Sequence, residues 1–339
     1  KNVFVENRFE PMLTTDEPNT TISTKEMVYA TQAWENGYTG AGTKVAIIDT
    51  GTNANHVSFD AEAFEYALTK DGKSLDDYDL LTKEDISAVL DELNVSIDAD
   101  KVYLNSKNPF AYNYIDDDYQ TDHSNDNRGE HGSHVAGIAA ANRYVSDGNG
   151  GFVDAASTVY AVGVAPDAQI ITMKVFGKGG GAYDSDYMAA IEDAIVLGAD
   201  SINLSLGSSY PGFSFSDEYQ DIMDGLSGKG AVVVISAGNS GGWNDVPWNR
   251  FEEDLDDDEE NDIYFPYPGF LYVEDISFDT VGSPGSFKNS LAIASADNIG
   301  VTGMPLIFNG SQNAFYNETS SSGAPMASIA GEYEFVYID

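Results

Sequence analysis

A chain of 339 residues is long enough for one large or two ordinary domains with a full core, and 42% hydrophobic with 12% aromatic residues excludes a disordered polymer. Sixteen Lys+Arg against 56 Asp+Glu leave a formal charge of −40, a field that repels phosphate backbones and anionic lipid, so nucleic-acid and membrane-surface partners are excluded. No run of about eighteen apolar residues is present, so no membrane insertion is expected, and the absence of cysteine removes disulfides, thiolate metal sites and a cysteine nucleophile together.

In chain order, residues 1–40 mix polar turns with one helix signal near 24–34 and read as an N-terminal arm. Residues 43–49 form a continuous apolar run ending in Asp49-Thr50-Gly51, the pattern of a buried parallel strand. Residues 60–108 read as an acidic, helical excursion, expected as a surface insertion. A small-residue helix is predicted over 131–141. Strands at 169–175, 201–204, 231–236 and 290–294 then alternate with helices at 187–197 and 218–227. That alternation implies βαβ crossovers and an α/β fold, a mostly parallel central sheet covered by helices on both faces. The acidic block at 252–262 cannot pack and is read as a solvated loop.

Three residues converge on one chemistry. Asp49 ends a buried strand, His131 opens a helix, and Asn239 comes after the strand at 231–236. In open parallel sheets, sites form at the carboxyl ends of the strands. Asp, His and an amide donor are the orienter, base and oxyanion stabiliser of acyl transfer.

The motifs around these residues carry a family resemblance. Val45-Ala46-Ile47-Ile48-Asp49-Thr50-Gly51, His131-Gly132-Ser133-His134-Val135-Ala136-Gly137, Gly163-Val164-Ala165-Pro166, Lys174-Val175-Phe176, Ile202-Asn203-Leu204-Ser205-Leu206-Gly207 and Ser236-Ala237-Gly238-Asn239 stand in order. The chain resembles the subtilisin-like serine peptidases, with Ser133 where Thr is usual. Its insertions, and Phe110-Ala111-Tyr112-Asn113-Tyr114 ahead of the His motif, are most similar to the lactocepin-type cell-envelope proteinases.

The resemblance implies a three-layer fold and a secreted endopeptidase, extracellular or cell-wall associated, acting on protein or peptide substrates. It implies catalytic roles for Asp49, His131 and Asn239. It also implies substrate-binding backbone edges at Gly179, Gly180 and Gly181, at Ser205, Leu206 and Gly207, and at Ala237 and Gly238. No cofactor and no metal site are expected, although the Asp/Asn-rich loop at 121–127, with Asp116, Asp117 and Asp118, is a calcium candidate. His56 is read as a structural member of the Asp motif, His123 as a surface-loop residue and His134 as a packing residue.

The nucleophile departs from the pattern. A Gly-Thr-Ser-Met segment leading into a small-residue helix is absent; Ser321 stands four residues before Pro325 and tempts alignment. Yet the stretch beyond Pro325 leads into a strand-like alternation at 332–338. The expected arrangement is an N-terminal arm over 1–40, a peptidase domain over 41–331 without its Ser segment, and the start of an inserted protease-associated domain at 332–339. The Ser would then come from polypeptide after Asp339. Ser321 as nucleophile and a non-catalytic peptide-binding module of the same fold are the alternatives.

Overall fold

The computed structural model describes residues 25–124, 129–157, 162–177, 182–207, 217–226, 228, 230–238, 251–253, 262–264, 281, 284–285, 288–294, 304–308 and 312–316. Helices are α1 (Ala30–Glu35), α2 (Ala61–Thr69), α3 (Lys83–Ala88), α4 (Ala99–Val102), α5 (His131–Ala140), α6 (Asp184–Val196) and α7 (Asp217–Leu226). Strands are β1 (Lys44–Asp49), β2 (Phe110–Asn113), β3 (Tyr144–Ser146), β4 (Phe152–Asp154), β5 (Gln169–Lys174), β6 (Ser201–Leu204), β7 (Val232–Ser236), β8 (Phe251–Glu253), β9 (Asp262–Tyr264), β10 (Leu291–Ile293), β11 (Met304–Phe308) and β12 (Gln312–Tyr316). Two compact units contain them. One, Tyr29–Asp297, holds the large sheet; the other, Lys1–Val28 with Asn298–Asp339, holds the antiparallel β11–β12 hairpin.

The large sheet has the order β10-β7-β6-β1-β5-β2, and every pairing in it is parallel. β1 lies in its middle because Ala46, Ile47 and Ile48 are apolar on both faces and each is 1% exposed or less. Ile47 packs on Ala136 and Ala140 of α5. Ala46 and Ile48 face the other layer, with Ile191 and Ala194 of α6 and Met223 and Leu226 of α7. Helices therefore cover both faces. Toward the β7–β10 edge the cover thins, and Val232, Leu291 and Ile293 stay about half exposed.

The excursion at 60–108 is not the surface insertion expected from its polarity. It breaks into short helices, and Leu81, Ile86 and Val102 enter the same core as Ile48 and Phe110. Buried polar groups fasten it. Gln169 of β5 accepts from Leu81 N at 2.7 Å and donates to Ser106 O at 2.8 Å. Asp193 of α6 accepts from Asn94 N at 2.7 Å and from Tyr114 Oη at 2.9 Å. Burial raises the Asp193 carboxyl and pushes the Tyr114 phenol well above its ordinary value.

Lys107 is fully buried at the amino-terminal end of β5. Its Nζ donates to Pro166 O at 2.9 Å and Ala168 O at 2.6 Å, and stands 4.9 Å from the centre of the Phe64 ring. Desolvation lowers the ammonium to about 7, with Asp167 acting in the opposite sense. A neutral amine has two hydrogens, and two carbonyls receive them. Between about pH 7 and 10 the folded chain thus holds fewer protons than the unfolded one, whose lysine titrates near 10.4, so stability rises with pH. Below about 7 the cost of burying the charge is fully present. Urea denaturation at pH 6.5, 8 and 9 should show the rise, at most about 1.4 kcal/mol per pH unit. Lys107→Met should flatten it; an equal slope in the variant would assign the rise to other groups.

Candidate active site

The site lies at the carboxyl edge of the large sheet. β1 ends at Asp49, whose side chain is 1% exposed. Thr50 N donates to Asp49 Oδ1 at 2.6 Å, and His131 Nδ1 lies 2.8 Å from the same oxygen. A carboxylate only accepts, so Nδ1 carries the hydrogen, and in the neutral ring Nε2 is the nitrogen with the free lone pair. The His131 side chain is 54% exposed. The buried acid and accessible imidazole are thus arranged as an orienter and a base.

The start of α5 is held by tertiary bonds, because Glu130 provides no side-chain cap. Gly132 N donates to Thr50 Oγ1 at 2.9 Å, and Asn53 N donates to Ser133 Oγ at 2.9 Å. Gly132 is required by close approach: a Cβ there would stand 2.2 Å from Gly51 O and 3.1 Å from Asp49 Cβ. Gly51 in turn has φ +101°, and a Cβ would meet Thr121 O at 2.1 Å. Buried beneath, Lys174 pairs in register with Asp49 and its Nζ donates to Thr50 O at 2.5 Å.

The register aligns other sequence-predicted residues with this edge. β6 is parallel to β1 and β7 to β6, so Ser205, Leu206 and Gly207, and Ala237 and Gly238, all leave the sheet on the side of Asp49. Ser236 Oγ donates to Leu206 O at 3.4 Å, and Asn203 Nδ2 donates to Ser205 Oγ at 3.0 Å. Asn239, Gly179, Gly180, Gly181, Ser321 and residues 332–339 lie outside the described residues.

The remaining histidines divide differently from expectation. His56 caps a short turn, its Nδ1 accepting from Ser58 N at 3.2 Å. His134 does not pack: it is exposed on the outer face of α5, with His131 and Ile138. His123 lies in a loop, partly buried, with its Nε2 3.0 Å from Ser133 Oγ. Sequence reasoning missed it because it belongs to no motif, and only the fold brings its loop onto the start of α5. The acidic loop is organised by its own neighbours: Asn113 Nδ2 donates to Asp116 Oδ2 at 3.1 Å and Asp118 Oδ1 at 3.0 Å, and Tyr112 Oη donates to Asp117. Among the described residues no group of three His, Asp or Glu is arranged to hold a metal.

The profile of the Subtilase family matches residues 40–332. The chain belongs to the subtilase family. This subtilase is 33% identical over 290 residues to the PI-type proteinase of Lactococcus lactis subsp. cremoris, covering 83% of its own chain and 13% of the relative. It is 32% identical over 223 residues to the minor extracellular protease Vpr of Bacillus subtilis, covering 63% and 20%. It is 31% identical over 235 residues to a C5a peptidase of Streptococcus pyogenes, covering 68% and 18%. The subtilase chain therefore spans only 12–20% of these and related proteinases' own length. No helix among its described residues is long and apolar enough to cross a membrane.

Proposed function

We propose that this subtilase is an extracellular or cell-envelope serine endopeptidase that cleaves extended polypeptides. The observation that carries the reading is the 2.8 Å contact between the buried Asp49 carboxylate and the accessible His131 ring, at the carboxyl edge of a parallel sheet. In this reading Asp49 holds the imidazole in the Nδ1–H tautomer and stabilises its charged form. His131 Nε2 takes the proton of the attacking hydroxyl and returns it to the leaving amine. Asn239 donates its side-chain amide to the oxyanion. The backbone at Gly179–Gly181 and at Ser205–Gly207 receives the substrate as an added strand, with Ala237 and Gly238 beside the scissile bond.

The nucleophile of this proposal is a serine supplied by polypeptide after Asp339, because no Gly-Thr-Ser-Met segment occurs in residues 1–339. Residues 41–331 are then the peptidase domain, and the downstream portion of the same protease is its necessary partner. The relatives' printed names, a proteinase, an extracellular protease and a peptidase, support the reaction class and the location. No cofactor is invoked. A serine-directed fluorophosphonate should label a polypeptide that includes the downstream portion and leave residues 1–339 unlabelled. Stoichiometric labelling of residues 1–339, abolished by Ser321→Ala, would move the nucleophile to Ser321. No labelling and no hydrolysis by the longer polypeptide would favour a peptide-binding module.

A further inference from the structure

We propose that His123 is a positioning residue for the Asp49–His131 pair, acting through the Ser133 hydroxyl. Three segments meet at that oxygen: the loop after β1 through Asn53 N at 2.9 Å, α5 through Ser133 itself, and the loop after β2 through His123 Nε2 at 3.0 Å. A hydroxyl accepts two hydrogen bonds and donates one, so both partners are satisfied together. In either sense of the His123 bond, Ser133 donating to Nε2 or Nε2–H donating to Ser133, Asn53 N keeps its acceptor.

The contact is built into the edge. Thr52 N donates to Thr121 O at 2.8 Å, and the bare α-carbon of Gly51 lies against the same carbonyl, so the loop carrying His123 is stacked on the loop that leaves Asp49. Asp122, beside His123, is occupied within its own loop, its Oδ1 accepting from Ser124 N at 3.0 Å. α5 has no side-chain cap of its own. Its first turn is therefore oriented by the bonds to Thr50 and Asn53, and His123 fixes the rotamer of the hydroxyl that makes the second. His131 stands two residues away on that same turn. A first turn free to tilt would lengthen the Nδ1–Oδ1 contact, and catalytic geometry is sensitive to displacements of about 1 Å.

The inference rests on the catalytic reading of Asp49 and His131, but its test reads the pair directly and needs no hydrolysis. The chain contains four histidines, so ¹⁵N-histidine spectra of residues 1–339 can be assigned by single substitution. Removing one such bond opens the turn more often, and His123→Ala should speed exchange of the His131 Nδ1 proton with water about 5- to 10-fold. Ser133→Ala, which removes the Asn53 bond as well, should speed exchange at least as much, the double variant should add nothing to Ser133→Ala, and His123→Gln should restore slow exchange. A folded His123→Ala chain that melts at lower temperature but keeps the His131 Nδ1 resonance and its exchange rate would reduce His123 to packing and overturn the proposal. Additive effects of the two alanines would overturn it as well. If His123→Ala does not fold, Ser133→Thr against Ser133→Ala carries the comparison: exchange must quicken only in the alanine variant, and equal behaviour overturns the proposal. Slow exchange restored by Gln in a protein that cleaves no peptide would leave this inference standing and remove the functional one.

Discussion

Replacing His131 by Ala in the polypeptide that includes the downstream portion should lower kcat about 10⁶-fold, and Asp49→Asn about 10⁴-fold, magnitudes measured for triads of this kind, including a subtilisin. In the proposed mechanism the base costs more because it takes the hydroxyl proton itself, whereas Asp49 acts through it. The His131 side chain is 54% exposed, whereas the Asp49 side chain is 1% exposed and cannot reach a substrate. Asparagine in place of Asp49 keeps the shape but can present a hydrogen to Nδ1, which forces the imidazole toward the wrong tautomer. The carboxylate also accepts from Thr50 N at 2.6 Å, so the substitution loosens the turn after β1 as well. KM should change little in either variant, since neither group holds the extended substrate. Steady-state kinetics on an unstructured protein substrate would read both effects. Hydrolysis by His131→Ala within tenfold of the parent would remove His131 from the mechanism.

Gly132→Ala should lower turnover on the order of 100-fold without touching a reacting atom. Its Cβ would stand 2.2 Å from Gly51 O and 3.0 Å from Gly51 N, backbone atoms that no side-chain rotation can move aside. The helix start must back away from the loop, taking His131 from Asp49 and breaking the bond from Gly132 N to Thr50 Oγ1. Overpacking of this kind costs about 1–3 kcal/mol or more, and a misplacement of about 1 Å costs on the order of 100-fold in rate. Gly137→Ala on the same helix is the control. Nothing lies within 4 Å of the Cβ it would gain, so it should be neutral or stabilising by up to about 1 kcal/mol. Thermal melts and kcat for the two variants separate the effects. Equal behaviour of Gly132→Ala and Gly137→Ala would mean that the close approach does not hold the site.

Much of the frame is legible along the chain because its signals are local. The apolar run ending at Asp49 and the small-residue helix from His131 match β1 and α5 to within one residue, and β5, β6, β7 and β10 keep to their predicted segments as closely. β2 is not readable as a strand. All four of its residues are buried and the strand is only four residues long, so Phe110–Asn113 shows neither alternation nor length. The excursion misleads for a related reason: Leu81, Ile86 and Val102 stand in an acidic stretch, and only their landing place makes them core.

The α/β class, the strand and helix periodicities, the acidic surface and the ordered motifs that mark a subtilase are all written in the linear chain. Each depends on residues near one another, where burial period and side-chain chemistry speak directly. Which ends meet is a property of the folded molecule. Strand order β10-β7-β6-β1-β5-β2 brings the loops after β1 and β2 to one edge, where Thr121 O receives Thr52 N and His123 reaches Ser133. The same packing leaves His134 exposed on the outer face of α5, because Ala136 and Ala140 on the opposite side of that helix make the contact with β1. Asn53 and Ser133 meet although 80 positions separate them. Such a contact depends on how strands are ordered and stacked, and no local pattern encodes that order.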